Sequence, residues 1–372
     1  MVLCEVLWRL PPTWTGDNVG GMDELPVDAK LDFQELAKRA QSMLSERPVV
    51  VLGTGASIPH GLPSMRTLAD ELVATVRDDL PGWVEFSQRL DETKDLEQAL
   101  HDVALPAETV EELVRATWDI VTATDLRFYK ELLSGTAAFP LADVFRHLLR
   151  TADSQLRVVT TNYDRLAEYA ANRVGAYVST GVTAGWLQRF LPATVENERP
   201  PAPGYEGLVT VLKVHGSLDW FRDAIDDAVG VPLSRTIPSD MQPLIVTPGV
   251  SKYKESHKDP FRSVLSTADA ALRKATCYLC VGYGFNDEHV QPVLVSRVKK
   301  DQVPLLVVTK SLTPHTRTTF LEDPPKRFLF IEKGTGGSMV YSADYPDGEL
   351  LLDTDVWQLD EFMKMVTATG GQ

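Results

Sequence analysis

Short unbroken apolar runs recur along the chain, each ending in polar or glycine-bearing residues. The first is Val49-Val50-Val51-Leu52; others lie at Arg157–Thr161, Val209–Val214, Leu244–Thr247, Cys277–Tyr283 and Val303–Thr309, with Phe328–Ile331 as a last one. Such runs, rich in β-branched residues and lacking alternation, predict strands buried on both faces, as in a parallel sheet. Ahead of the first, Leu31, Phe33, Leu36, Ala37 and Leu44 recur at helical spacing over Leu31–Glu46. The order strand, glycine turn (Gly53-Thr54-Gly55-Ala56-Ser57) and helix from near Thr67 opens a doubly wound nucleotide-binding sheet. The expected fold class is therefore α/β, with a doubly wound, mostly parallel Rossmann-like sheet. Thr67–Asp153 departs from this rhythm. Val110, Leu113, Val114, Trp118, Val121 and Leu126 line one helical face there, predicting a helical insertion over about 67–155.

These patterns divide the chain into an unperiodic arm (1–30), a nucleotide-binding domain (31–333) and a C-terminal extension (334–372) that docks on the domain or on a neighbour. The proline-bearing stretch Pro192–Gly204 reads as a surface loop. Of the 372 residues, 44% are hydrophobic and 24% charged, which are globular values and exclude wholesale disorder. The 37 Lys and Arg against 52 Asp and Glu leave a net charge of −15, so direct nucleic-acid binding is not expected. Cys4, Cys277 and Cys280 do not form a disulfide framework, and a reducing cytoplasm fits best. Cys277-x-x-Cys280 lies within an apolar strand with no second pair, so no metal site is expected. Glu5 and Arg9 interrupt the apolar N-terminus, arguing against a signal peptide, and no run of about 18 apolar residues predicts a membrane span. Trp8 and Trp14 in the arm and Trp118 in the insertion point to a homo-oligomer.

Four clusters carry candidate chemistry, each where a strand ends and open α/β sheets bind ligands. Gly53–Arg66 offers glycines, amides and Ser57 to a pyrophosphate, although Ile58 stands where a strict GxGxxG turn has its third glycine. Thr160, Thr161, Asn162 and Asp164 follow the second run; Asn162 or Asp164 could equally cap the next helix. His215 ends the third run, before Gly216 and Ser217, and by itself could be a structural histidine. Gly282 and Gly284 form another glycine turn, followed by Phe285, Asn286, Asp287 and His289, of which Asp287 and His289 could serve only as caps.

Together and in this order the clusters resemble the sirtuin motifs. GTGAS with Gly61, Pro63 and Arg66 is similar to the sirtuin GAGxS…GxPxFR, with Met65 for Phe; TNYD resembles QNID; and KVHGS resembles the HG catalytic segment, over roughly residues 47 to 310. The four-cysteine zinc ribbon of deacetylating sirtuins is absent. Its absence, the helical insertion and GYGFND-x-H resemble the sirtuin-like proteins of bacterial antiphage defence. That resemblance implies NAD as substrate without a metal, with cleavage of the nicotinamide–ribose bond to nicotinamide and ADP-ribose, in an oligomer and in some cases beside a HerA-type ATPase. It assigns Asn162 to hold the ribose or the attacking water and His215 to accept a proton. Asp164 would lie near the nicotinamide. Gly53, Gly55, Ala56, Ser57 and Arg66 would face the phosphates and nicotinamide ribose, while Gly282, Gly284 and Phe285 would cover the adenosine half, with Thr309 and Lys310 near the adenine ribose. A protein deacylase and a non-catalytic NAD or ADP-ribose sensor are the alternatives.

Overall fold

In the computed structural model, residues 32–150, 154–185, 188–196, 203–246 and 258–368 are described. The arm expected over 1–30, with Cys4, Trp8 and Trp14, lies outside them. The chain runs α1 (Phe33–Ser45), β1 (Val49–Leu52), α2 (Met65–Thr75), α3 (Trp83–Thr93), α4 (Leu96–Asp102), α5 (Ala107–Ser134), α6 (Pro140–Leu148), β2 (Gln155–Thr160), α7 (Leu166–Arg173), β3 (Tyr177–Ser179), β4 (Gln188–Arg189), α8 (Ala193–Glu196) and β5 (Leu208–Lys213). It continues through β6 (Gly216–Arg222), β7 (Ala228–Gly230), β8 (Gln242–Ile245), α9 (Phe261–Lys274), β9 (Tyr278–Val281), α10 (Gln291–Lys300), β10 (Leu305–Val308), α11 (Pro314–Phe320), β11 (Phe328–Gly334), β12 (Gly337–Ser342), β13 (Glu349–Leu352) and α12 (Leu359–Ala368).

Among the described residues nine strands form one sheet, in the order β13-β12-β11-β10-β9-β1-β2-β5-β3. From β11 to β3 every neighbouring pair is parallel. The chain builds outward from β1 in both directions, with β2 on one side and β9 on the other, so a switch point lies at the carboxyl end of β1. An open α/β sheet leaves a crevice at such a point. Alternate residues of β1 face opposite layers: Val50 and Leu52 pack with the helices of the insertion, and Val49 and Val51 with α9. Between β1 and β2 the chain is helical, α2 to α6.

Two expectations change. The described part of the run expected at Leu244–Thr247 does not join the parallel sheet: β8 pairs antiparallel with β6 in a second sheet of order β4-β7-β6-β8. The apolar run was legible, but its partner begins one residue after His215, through Gly216 at φ +89°, a reversal that no turn signal announces. The boundary expected at 334 falls inside the β11–β12 hairpin, where Gly334 pairs with Gly337, so β12 and β13 continue the main sheet as antiparallel edge strands. Phe362, Met363, Met365 and Val366 of α12 are buried in the same core as α1 and α6, each contributing roughly 1.5–3 kcal/mol.

Candidate functional site

The crevice is floored by two glycine turns that interlock. A Cβ on Gly53 would lie 2.4 Å from the Gly282 carbonyl oxygen, and one on Gly282, at φ +56°, 2.3 Å from the Ala56 nitrogen. These glycines are thus required by turn-to-turn packing whether or not a ligand is bound. The amides follow the same logic: those of Gly53, Gly55, Ala56 and Ser57 donate to the carbonyls of Val281, Gly282, Gly53 and Thr54 at 2.9–3.1 Å. The expectation that they cradle a pyrophosphate is corrected accordingly. The turn shapes the floor, and these four amides are already committed within the fold.

Above it stands a buried polar chain. Asn162 Nδ2 donates to the Gly53 carbonyl and to Ser57 Oγ, both at 3.0 Å, and Ser57 donates to Asp164 Oδ2 at 2.7 Å. Asp164 Oδ1 accepts the Leu166 amide at 3.1 Å, so it also caps α7. Burial pushes the Asp164 carboxyl above its ordinary range, against the attraction of Lys213 and the Ser57 hydrogen bond. Lys213 donates to the Asp164 carbonyl and pairs with Glu168 at 3.0 Å. Two acceptors are left over: Asn162 Oδ1 and Glu168 Oε2 are buried without a hydrogen-bond partner. An unpaired buried acceptor costs about 1–3 kcal/mol, which a donor on a ligand can recover.

His215 follows β5, with its side chain 11% exposed, and its Nε2 lies 2.8 Å from Asp287 Oδ2. The contact is close but is not an aligned hydrogen bond. Burial opposes ionisation of Asp287, yet His215 and the Val290 amide outweigh it and hold the carboxyl well below its ordinary range.

A cavity of about 580 Å³ unites these groups, within the range of small-molecule sites. Among the sequence-predicted residues Gly53, Gly55, Ser57, Asn162, Asp164, His215, Gly282, Gly284, Thr309 and Lys310 line it. Three do not. Ala56 packs against the core; Phe285 is fully buried at φ +58°, its ring 5.1 Å from that of Phe320, and supports the turn from beneath. Arg66 is exposed on the first turn of α2, which Ser64 caps, and faces a separate groove with Asp70 and Lys94. Sequence reasoning missed Glu97 of α4 and Lys333 of β11, which also line the cavity. Asp287 of the fourth cluster, which could have been only a cap, lines the cavity as well. Glu97 and Lys333 carry no local signal, because tertiary packing of the insertion and the sheet edge brings them in.

Among the described residues no group of three or more His, Cys, Asp or Glu side chains could hold a metal ion. Cys277 and Cys280 point into opposite core layers, and burial pushes the Cys277 thiol up to about 12. Nor does any helix among these residues have the length and apolar character to cross a membrane.

The family model described as SIR2-like domain matches residues 156–325, under half of the chain. Among solved structures the chain is similar to a Sir2 enzyme studied for mechanism and regulation, at 14% identity over 90% of this chain and 99% of that one, with a TM-score of 0.45. It is similar too to a sirtuin studied for substrate affinity, at 15% identity over 90% and 99%, TM-score 0.46. A Sir2 homologue in complex with NAD gives 14% identity over 89% and 94%, TM-score 0.43. No curated protein matches.

Proposed function

We propose that this cleft binds NAD and hydrolyses its nicotinamide–ribose bond, releasing nicotinamide and ADP-ribose. The observation that carries the reading is the convergence, in one cavity at the switch point, of His215 with an Asn162 whose Oδ1 lacks a partner. The SIR2-like match spans Asn162, Asp164, His215, Gly282 and Gly284. With the floor amides committed, Lys310 and Lys333 are the cationic side chains lining the cavity and the ones available to a pyrophosphate.

The pyridinium is already a good leaving group, departing with the electrons of the C–N bond as neutral nicotinamide. The protein has to orient the dinucleotide, support positive charge developing on the ribose and deliver water. Asn162 Oδ1 accepts a hydrogen bond from a ribose hydroxyl or from that water. His215 takes the proton released as the new C–O bond forms and later returns it to solvent. A positioned base contributes about 10² to 10⁴ in rate, or roughly 3 to 5 kcal/mol. From the motif resemblance given under sequence analysis we propose that the chain is an antiphage effector that depletes NAD, working as an oligomer, with a HerA-type ATPase as a candidate partner.

The test is incubation of the purified chain with NAD, with and without an acetyl-lysine peptide, followed by chromatography. Equal nicotinamide and ADP-ribose without peptide is the expected result. Nicotinamide release that requires the peptide and deacetylates it assigns a deacylase, and binding without turnover assigns a sensor.

A further inference from the structure

We propose that Asp287 is a positioning residue for His215, holding the ring with its proton on Nε2 so that Nδ1 keeps the lone pair that accepts the reaction's proton. The assignment of the reaction rests on the hydrolase reading above; the contact itself does not.

The two oxygens of Asp287 do different things. Oδ1 accepts the amides of His289 at 3.0 Å and Val290 at 2.9 Å, capping the turn that leads into α10. Those bonds fix the carboxylate plane and turn Oδ2 towards His215 Nε2, 2.8 Å away, with both side chains nearly enclosed. A cap needs one acceptor oxygen and no charge, so capping leaves the second oxygen unexplained. An ionised carboxylate against one ring nitrogen of a neutral imidazole favours the tautomer that places N–H there. Among the described residues the His289 ring also faces His215, with centroids 6.1 Å apart.

Asp287→Asn separates the two roles. Its carbonyl oxygen still caps the turn, and the amide then presents N–H to Nε2, which forces the imidazole proton onto Nδ1. A wrong-tautomer change of this kind lowers kcat by about 10²- to 10⁴-fold while leaving geometry intact. Full-chain protein labelled with ¹⁵N-histidine, with the His215 signals identified by their loss in His215→Gln, reports the tautomer directly. We expect a pyridine-type Nδ1 in the wild type and its reversal in Asp287→Asn, with kcat down at least about 100-fold and KM within about threefold. Should Asp287→Asn fail to fold, Asp287→Ser keeps a capping oxygen and removes the carboxylate, and the same losses are expected. An unchanged tautomer, or a changed one with undiminished turnover, overturns the proposal. A wild type inert towards NAD overturns the hydrolase reading, and the nitrogen spectrum alone then decides the role of Asp287.

Discussion

Asp164 and Arg165 are consecutive, both are buried, and they serve different clusters. Asp164 belongs to the chain Ser57, Asn162, Lys213 and Glu168 and lines the cavity. Arg165 points away, pairing with Asp125 at 2.6 Å and Asp219 at 2.7 Å, while Tyr169 donates to Asp125 at 2.6 Å. Asp125 and Arg165 are 0% and 1% exposed, so the centre of this second cluster is sealed, with Asp219 at its edge 21% exposed. It ties α5 of the insertion to α7 and β6, helped by Trp118 donating to the Leu218 carbonyl at 3.0 Å. Burial works against the Arg165 charge, and Asp219 and Asp125 more than offset it. In the cavity cluster burial prevails, and Asp164 resists ionisation. Buried charge alone therefore does not mark a site. Both clusters hold an unpartnered polar atom, Asn162 Oδ1 in one and Arg165 Nη2 in the other; what distinguishes them is that only the first lines the cavity.

The largest effect should come from the sealed cluster. Arg165→Met leaves the Asp125 carboxylate buried without its partner and should cost about 3–5 kcal/mol, read by denaturant unfolding. Whatever fraction folds should turn over NAD at the wild-type rate per molecule. A normally stable Arg165→Met, or a folded one without activity, breaks the distinction. In the cavity cluster, Ser57→Ala removes the donor to Asp164 and should cost about 1–2 kcal/mol, with a NAD affinity loss of about tenfold by calorimetry. An effect of similar size sharpens the comparison by pH. His60 packs against Phe128 of α5 and Phe139, and burial lowers its pKa to about 4. Between the ordinary value of 6.5 and 4 the unfolded chain binds the proton and the folded chain does not, so stability falls as pH drops through that window. The loss should be about 1–3 kcal/mol and disappear in His60→Leu, as measured by melting at pH 7 and pH 4.5.

The parallel strands were legible because β-branched runs buried on both faces leave a continuous apolar signature, and the ligand edge because glycine turns and polar residues end those runs. The second sheet was not, since β6 (Gly216–Arg222) mixes Ser217, Asp219 and Arg222 with its apolar residues and is recognisable only by its pairing. Arg66 was misplaced because a motif letter fixes position along the chain but not direction; the Ser64 cap sets the helical phase that turns it outward. Asp287 read as a cap and is one. Its second oxygen meets a residue 72 positions earlier, which sequence proximity cannot disclose.

The central claim is tested most directly by nicotinamide release from NAD by the wild type and Asn162→Ala, each normalised to folded protein and measured beside its melting curve. The account predicts a loss of about 100-fold or more with a melting shift of a few degrees, from the two hydrogen bonds that Nδ2 makes. Turnover within about tenfold of wild type by a normally melting Asn162→Ala would contradict it.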